Sequence, residues 1–440
     1  MKIPAIPGFN PQAFEKYLKN TAWLMLGRVL SMVVGFIIAR YLGPASFGDL
    51  SFAIAFTGFF AAIGTLGLDS FVIREVLHNP DKRDEILGTA FWLRIGVNLL
   101  LLPFAVLLYV LFHKLSGGQS APLNLLIAIC ALASLFKSFN VIDSYFQSQV
   151  RSKYVVQVQN ICLFISALIK VLLIILDLPV LYFALALLID GILLAAGLVI
   201  IYQYKALHQI SDWQFHADRA KSLLKQSWPL IMTAVMISIY MQIDIVMLKS
   251  LGSKTVGIYS AAARISEAWY FIPVAVITSV FPAIIHARKT DLQHYQKRLQ
   301  NLYDLLVAIS LPVALVISFS AHIIINLLYG NQFEGAGTIL SIHIWSGVFV
   351  FLGSASSQYL LAEGYTLISL KRTALGAIVN IILNIILIPL YGGVGAAIAT
   401  LIAYFVSTFS VFLFSKTREQ GVLMLKSLFL ISLLQKIYKR

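Results

Sequence analysis

Four basic side chains stand deep inside apolar stretches of this sequence: Arg28, Lys137, Lys170 and Arg264. A charged side chain costs about 2.5–3.5 kcal/mol at the centre of a bilayer, so it persists where it faces water, a partner or a ligand. Arginine binds phosphate oxygens through two parallel hydrogen bonds, and lysine binds them as a point charge. These residues are therefore candidate contacts for an anionic substrate. Intramembrane ion pairs that hold helices together are the alternative.

Three acids share these apolar stretches, namely Asp190, Asp244 and Glu267. An ionisable residue inside a span marks an ion pathway or a proton relay, so the three are candidate coupling or cavity acids. Glu267 lies three residues after Arg264 on one helix and can pair with it. Asp190 can equally pair with Lys170 of the adjacent span. Arg94 lies within about two turns of a helix end, where snorkelling explains its charge.

The elements that carry these residues are membrane spans. Hydrophobic residues make up 59% of the 440 residues and charged residues 12%, whereas soluble proteins carry about 25% charged residues. Runs of about 20 mostly apolar residues recur from residue 20 to residue 415 and predict about twelve transmembrane helices. The sequence therefore predicts an all-α polytopic membrane protein.

The distribution of basic residues predicts how the chain is oriented in the membrane. The net charge is +14, and most Lys and Arg residues fall in alternate loops on the side of the N terminus, while the opposite loops hold Lys114, Lys249 and Lys254. The positive-inside rule then places both termini in the cytoplasm. Because this asymmetry accounts for the charge and no DNA-binding motif is present, the sequence indicates no nucleic-acid partner.

One turn is written twice, as RYLGPASFGDLSFAIA from residue 40 and KSLGSKTVGIYSAAAR from residue 249. An offset of 209 residues places Gly43 on Gly252 and Gly48 on Gly257, and these glycines, with Pro44, allow a tight reversal between helices. The offset stays nearly constant along five spans, so we expect two parallel six-helix repeats around a central cleft.

The repeat divides the chain into four predicted parts. These are an N-terminal six-helix bundle (residues 1–203), a cytoplasmic linker (204–227), a C-terminal six-helix bundle (228–415) and a cytoplasmic, interfacial amphipathic tail (416–440). Polar stripes on the first and second helices of each bundle indicate that these helices line the cleft, and this inference depends on Arg28, Asp244, Arg264 and Glu267.

The motif that starts at Arg40, basic-x-Leu-Gly-Pro-x-x-Phe-Gly, is followed by Gly67-Leu68 and then Arg74-Glu75. In this pattern, in span number and in loop lengths the chain resembles the bacterial polysaccharide flippases. These belong to the multidrug/oligosaccharidyl-lipid/polysaccharide exporter superfamily. The resemblance implies movement of a polyprenyl-pyrophosphate-linked oligosaccharide, an O-antigen or other surface polysaccharide unit, to the outer leaflet of the bacterial inner membrane. It also implies a cationic cavity, to which Arg28 and Arg264 are the matching positions.

Other function classes fit less well. The chain has no external loop long enough for a catalytic domain and no GxxxxGK[ST], HExxH or GxSxG motif, so we expect no enzyme activity, no cofactor and no metal site. The expected partners are the lipid-linked glycan, membrane lipids and other polysaccharide-assembly membrane proteins. The alternative function is a proton- or sodium-coupled small-molecule antiporter of the multidrug type, although the deep basic residues favour an anionic substrate.

Overall fold

A computed structural model of the chain describes residues 11–115, 121–206, 209–288 and 291–432. Side chains are described from residue 27 onward within these ranges, apart from those of Arg28, residues 112–122, Pro282 and His286. The described residues form helices and short connections, with no strand among them.

Fifteen α-helices follow one another in the described ranges. In chain order they are α1 (Pro11–Gly64), α2 (Asp69–His78), α3 (Arg83–Leu115), α4 (Ala121–Leu135), α5 (Val141–Ser148), α6 (Lys153–Ile175), α7 (Val180–Ala206), α8 (Ala217–Leu248), α9 (Ser253–Glu267), α10 (Phe271–Arg288), α11 (Leu292–Tyr329), α12 (Ala336–His343), α13 (Ser346–Ala362), α14 (Thr366–Phe409) and α15 (Arg418–Leu428).

Ten described segments are long and apolar enough to cross a membrane, and two of them are too long for a single crossing. Val29–His78 has 50 residues and Thr366–Leu413 has 48, whereas about 20 residues span a bilayer. Each contains a glycine with a non-helical backbone, Gly43 or Gly392, at which the helix is interrupted. Counting each long segment as two crossings gives twelve, and the prediction of an all-α, multi-pass membrane protein is confirmed.

The two copies of the repeated turn have similar backbone geometry. Gly43 has φ 71° and ψ 167°, and Gly252 has φ 99° and ψ 160°. A side chain is strained at such positive φ values, so glycine is required at both positions. The residues of α1 that follow the turn, 44–64, are called the second arm of α1 below.

Several crossings are interrupted in their interior. The second arm of α1 ends at Gly64 and α2 begins at Asp69, and α9 ends at Glu267 before α10 begins at Phe271. A 3₁₀ segment, Phe136–Asn140, separates α4 from α5. At membrane depth such backbone is tolerated where it is buried in protein or lines a water-filled cavity. Lys137 lies inside one of these interruptions, and Arg264 and Glu267 lie just before another.

The described residues group into two compact units. Unit 1 comprises those within Met1–Ile38, Leu68–Gly117 and Ala128–Lys225, and unit 2 those within Ala39–Gly67, Gly118–Ile127 and Gln226–Arg440. The second arm of α1 therefore belongs to unit 2. The bundle limits expected from the repeat, at residues 203 and 228, stay a prediction.

The tail helix α15 packs against α11 within unit 2. The Ser427 hydroxyl donates to Asp304, and Gln420 donates to the Tyr303 hydroxyl at 2.7 Å. Gln420, Met424 and Ser427 are buried. One face of the tail is thus held by protein, while its place at the membrane surface stays a prediction; residues 433–440 lie outside the described residues.

Candidate functional site

Arg264 lies near the end of α9, directly after a run of small residues that are buried. Its guanidinium carbon stands 4.6 Å from the ring centroid of Phe47, which comes from the second arm of α1. Among the described side chains, no carboxylate lies within ion-pair distance of Arg264, Glu267 included. The aromatic ring attracts the guanidinium through its electron-rich face, while Glu267 lies in the electrostatic neighbourhood of Arg264 without forming an ion pair with it.

Asp244 of α8 is the centre of a buried polar cluster. Its carboxylate accepts hydrogen bonds from the Tyr259 hydroxyl at 2.6 Å, from Asn384 Nδ2 at 2.5 Å and from the Thr400 hydroxyl. Asn384 also donates to the Asn380 side-chain oxygen at 3.3 Å. Three helices, α8, α9 and α14, therefore meet at this carboxylate, and all these partners are neutral.

The chemistry of this Asp244 cluster follows from its single charge. One carboxylate surrounded by hydroxyl and amide groups balances one proton or one monovalent cation. Within the described part of the chain there is no group of three or more His, Cys, Asp or Glu residues that could hold a metal ion. The cluster thus suits a singly charged ion better than a divalent one, because a divalent ion would be left half-neutralised.

Lys170 and Asp190 form an ion pair in unit 1. Lys170 Nζ of α6 lies 2.6 Å from Asp190 Oδ2 of α7 and 2.7 Å from the Ser166 hydroxyl. Of the two alternatives that the sequence leaves open for Asp190, pairing is what the structure shows. The pair joins neighbouring helices, and in this arrangement each charge is neutralised by the other instead of by a ligand.

Arg94 of α3 does not snorkel, and that expectation is wrong. Its side chain is only 2% exposed, and its Nη2 donates to Asp69 Oδ1 at 2.8 Å. The Ser144 hydroxyl of α5 donates to the same oxygen at 3.3 Å. A specific partner within unit 1, at the start of α2, therefore explains the charge.

For two further predicted substrate contacts, Lys137 and Arg28, the structure gives the position of the backbone. Lys137 lies in the 3₁₀ segment between α4 and α5, is exposed, and forms no ion pair with a described residue. Arg28 lies in α1, but its side chain is outside the described residues. Both stay predictions as substrate contacts.

Sequence reasoning missed Arg372. It stands at the polar start of an apolar run, where the sequence predicts a cytoplasmic loop. In the structure it is buried in α14, and its Nη2 donates to the Ser357 hydroxyl at 2.6 Å and to the Gly353 carbonyl at 3.3 Å. The partners of Asp244 were missed as well, since the rotation of α9 and α14 about their axes decides which hydroxyls meet it.

The two repeated turns contact each other within unit 2. A Cβ atom added at Gly48 would overlap the carbonyl oxygen of Ser253, and one added at Gly257 would overlap that of Pro44. Pro44 and Ser253 are themselves 209 residues apart, so the contact is reciprocal. Next to it, Lys249 Nζ lies 2.5 Å from Asp49 Oδ1. The repeat glycines thus allow two backbones to approach closely.

A sequence model of a known family matches residues 37–337, and that family is described as "Polysaccharide biosynthesis protein". The chain belongs to this family. The resemblance to polysaccharide flippases of the multidrug/oligosaccharidyl-lipid/polysaccharide exporter superfamily is thereby confirmed. A putative O-antigen transporter from Shigella flexneri is 23% identical over 413 residues, which cover 87% of this chain and 93% of that protein. A probable low-salt glycan biosynthesis flippase, Agl15 of Haloferax volcanii, is 28% identical over 35% of this chain and 33% of its own length.

Solved structures share the fold. The lipid II flippase MurJ in an inward closed conformation has a TM-score of 0.75 at 19% identity, covering 94% of this chain and 92% of that one. An inward-facing multidrug resistance transporter of the MATE family has a TM-score of 0.74 at 15% identity, covering 91% and 96%. At these identities the likeness shows the fold and does not separate the two substrate classes.

Proposed function

We propose that this protein flips a polyprenyl-pyrophosphate-linked oligosaccharide from the inner to the outer leaflet of the bacterial cytoplasmic membrane. The observation that carries the proposal is Arg264, a cation at an interrupted span that has an aromatic partner and, among the described side chains, no carboxylate within ion-pair distance. A diphosphate cannot cross hydrocarbon without countercharge, and arginine supplies both the charge and a bidentate fork. The family and the Shigella flexneri relative support this substrate class.

The Asp244 cluster supports a coupled mechanism. Its carboxylate has only neutral partners among the described residues, so an ion that binds there changes the net charge of unit 2. Protonation or cation binding can therefore bias which conformation unit 2 prefers. We propose Asp244 as the coupling acid. Glu267, which ends α9, is proposed as a cavity acid beside Arg264.

The reciprocal glycine contact supports alternating access. Under the predicted orientation, with both termini cytoplasmic, Gly48 and Gly257 lie near the outer surface. Helices that pack through glycine come close without interlocked side chains and can part and re-form. We propose that this contact is the outer closure of the transport path, with Lys249 and Asp49 forming its ion pair.

A matched set of alanine variants tests the outer closure. Gly48→Ala and Gly257→Ala each place a methyl group on backbone atoms, whereas Gly58→Ala in the same helix meets nothing within 4 Å. Overpacking of this kind costs about 1–3 kcal/mol. In a background without Cys130 and Cys162, a cysteine at buried Ser51 should react faster with an impermeant thiol reagent outside when either closure variant is present. Equal labelling in all three variants would argue against the closure.

The decisive experiment for the function is flipping in vesicles. A polyprenyl-pyrophosphate oligosaccharide is loaded into one leaflet, and its access to a lectin on the other side is followed. Arg264→Gln should slow protein-dependent transfer about 10- to 100-fold, because hydrogen bonds to charged groups contribute about 1.5–3 kcal/mol. Lys254→Gln removes a positive charge at an exposed position of the same helix and is the control.

Two outcomes would contradict the proposal. One is transfer by Arg264→Gln at the rate of the parent protein. The other is no transfer of any such lipid together with efflux of a soluble cation against a proton or sodium gradient. The second result would support the small-molecule antiporter, which the Asp244 cluster and the MATE-like fold also accommodate.

A further inference from the structure

Arg372 is a buried cation that uses only one of its three guanidinium nitrogens, Nη2, for hydrogen bonds with described residues. It is 5% exposed, and its Nη2 bonds to Ser357 and Gly353 of α13. Its Nε and Nη1 are buried and have no hydrogen-bond partner among the described residues. No described carboxylate lies within ion-pair distance of the guanidinium.

This arrangement is unfavourable unless something else completes it. Buried polar groups in native proteins are nearly always paired, and a buried charge without a counterion is penalised more strongly than a neutral group. Arg94 shows the usual solution for the charge within this chain, since its similarly buried guanidinium contacts the Asp69 carboxylate, although its Nε also has no hydrogen-bond partner among the described residues. Arg372 has a hydroxyl and a carbonyl instead, which orient the guanidinium and leave its charge uncompensated.

The open donors define the ligand that would complete the site. The N–H groups of Nε and Nη1 lie in one plane but point about 120° apart, so each can donate to a separate oxygen of an anion, and Nη2, which both bidentate forks need, is already occupied. The phenol groups of Tyr240 and Tyr303 lie in the electrostatic neighbourhood of Arg372 and are neutral hydrogen-bonding groups. An oxyanion is therefore the chemistry that the surroundings accept.

We propose that Arg372 is a second binding residue for the diphosphate of the substrate, nearer the cytoplasm than Arg264. It lies six residues into α14, about 9 Å from the start of the helix at 1.5 Å per residue. Under the predicted orientation that end is cytoplasmic, so Arg372 meets the diphosphate first. Because the open N–H groups on Nε and Nη1 are buried, the ligand reaches them after the guanidinium rotates or α13 and α14 part. The identity of the ligand rests on the proposed function.

Binding to the purified full-length protein in detergent tests the proposal. The probes are inorganic pyrophosphate, farnesyl diphosphate and, as an acidic sugar, glucuronate. Arg372→Met should weaken binding of both diphosphates at least 10-fold, and Arg372→Lys should recover part of it. Lys371→Met removes a charge from the adjacent, exposed position and should leave binding unchanged. If glucuronate alone responds to Arg372→Met, the site binds an acidic sugar and the diphosphate assignment is overturned.

The thermal unfolding temperature separates a ligand contact from a structural clamp. If Arg372 awaits a ligand, Arg372→Met removes an uncompensated buried charge, and the unfolding temperature without ligand stays equal or rises. If Arg372 only clamps α13 to α14, the temperature falls and diphosphate binding per folded protein is unchanged, which overturns the proposal.

A second variant keeps the test decisive if Arg372→Met does not fold. Ser357→Asp supplies a carboxylate where the hydroxyl now accepts from Arg372, and it should compete with the diphosphate and weaken its binding at least 10-fold. Ser354→Asp, at a similarly half-buried position one turn earlier in α13, is its control and should leave binding unchanged. Equal weakening by both, or by neither, overturns the proposal.

The proposed function and this inference fail in different ways. If the parent protein binds neither diphosphate and flips no lipid, the proposed function itself fails. If the parent binds diphosphate and Arg264→Gln weakens that binding while Arg372→Met does not, only the role of Arg372 is refuted.

Discussion

The charged side chains inside the spans have different kinds of partner in the two units. In unit 1 the charges of Arg94 and Lys170 are matched by carboxylates, at 2.8 Å and 2.6 Å. In unit 2, Asp244, Arg264 and Arg372 have neutral hydrogen-bonding or aromatic partners among the described residues. A matched pair holds helices together and leaves no charge for another ligand. Charges without an ion-pair partner, such as those of unit 2, can respond to an ion or to an anionic substrate, so we propose that transport chemistry belongs to them.

Lys137 is the exception in unit 1. It forms no ion pair with a described residue and lies in a 3₁₀ segment instead of a regular helix. By the criterion that separates the two units, Lys137 resembles the charges of unit 2. It therefore remains a predicted substrate contact, whereas the proposed contact at Lys170 loses its support because Asp190 accounts for its charge.

The largest effect is expected at Asp244. Asp244→Asn removes the charge that balances a proton or a cation, and loss of about 3 kcal/mol of charged hydrogen bonding corresponds to roughly 100-fold slower gradient-driven flipping. Flipping is measured in vesicles with an imposed proton or sodium gradient. Asp190→Asn is the comparison in unit 1 and should leave the rate per folded protein unchanged. If both variants lose the gradient dependence equally, or neither does, the distinction between the units is wrong.

Much of the fold could be read from the sequence because the relevant signals are local. Apolar runs predicted the membrane crossings. The offset of 209 residues identified two equivalent turns, each of which has a glycine with positive φ, Gly43 or Gly252. The sequence did not show that the turns of Gly48 and Gly257 contact each other within unit 2. A repeat indicates equivalent positions, but which of them touch depends on how the helices cross.

The site was harder to predict for a similar reason. Spacing along one helix showed that Arg264 and Glu267 can meet, yet they form no ion pair, since Arg264 points to Phe47 on another helix. Pairing of Lys170 with Asp190 was open until the facing sides of α6 and α7 were known. Arg372 was missed because hydropathy alone does not distinguish a buried end of a span from a loop.

An intermediate effect on stability is expected from breaking and rebuilding the pair in unit 1. Asp190→Leu leaves the Lys170 ammonium without its carboxylate and should destabilise the protein by about 1–3 kcal/mol, because the pair is only partly buried. Adding Lys170→Met removes the orphaned charge and should restore stability, with the flipping rate of the parent. Thermal unfolding and the vesicle assay report the two quantities. A double variant that is stable yet inactive would show that this pair takes part in transport.

The smallest effect is expected at Asp69, the partner of Arg94. The Asp69 side chain is 57% exposed while Arg94 is 2% exposed, so solvent screens the carboxylate and its loss is partly offset by water. Asp69→Asn keeps an oxygen that can accept from Arg94 and Ser144, and it should lower stability by about 1 kcal/mol without slowing flipping. Asp81→Asn, at an exposed position in the short turn before α3, is the control in thermal unfolding. If Asp69→Asn instead slows flipping while the protein stays as stable as the parent, the start of α2 contributes to transport. The Arg94–Asp69 pair would then have more than a structural role, and an ion pair in unit 1 would no longer separate structural charges from transport charges.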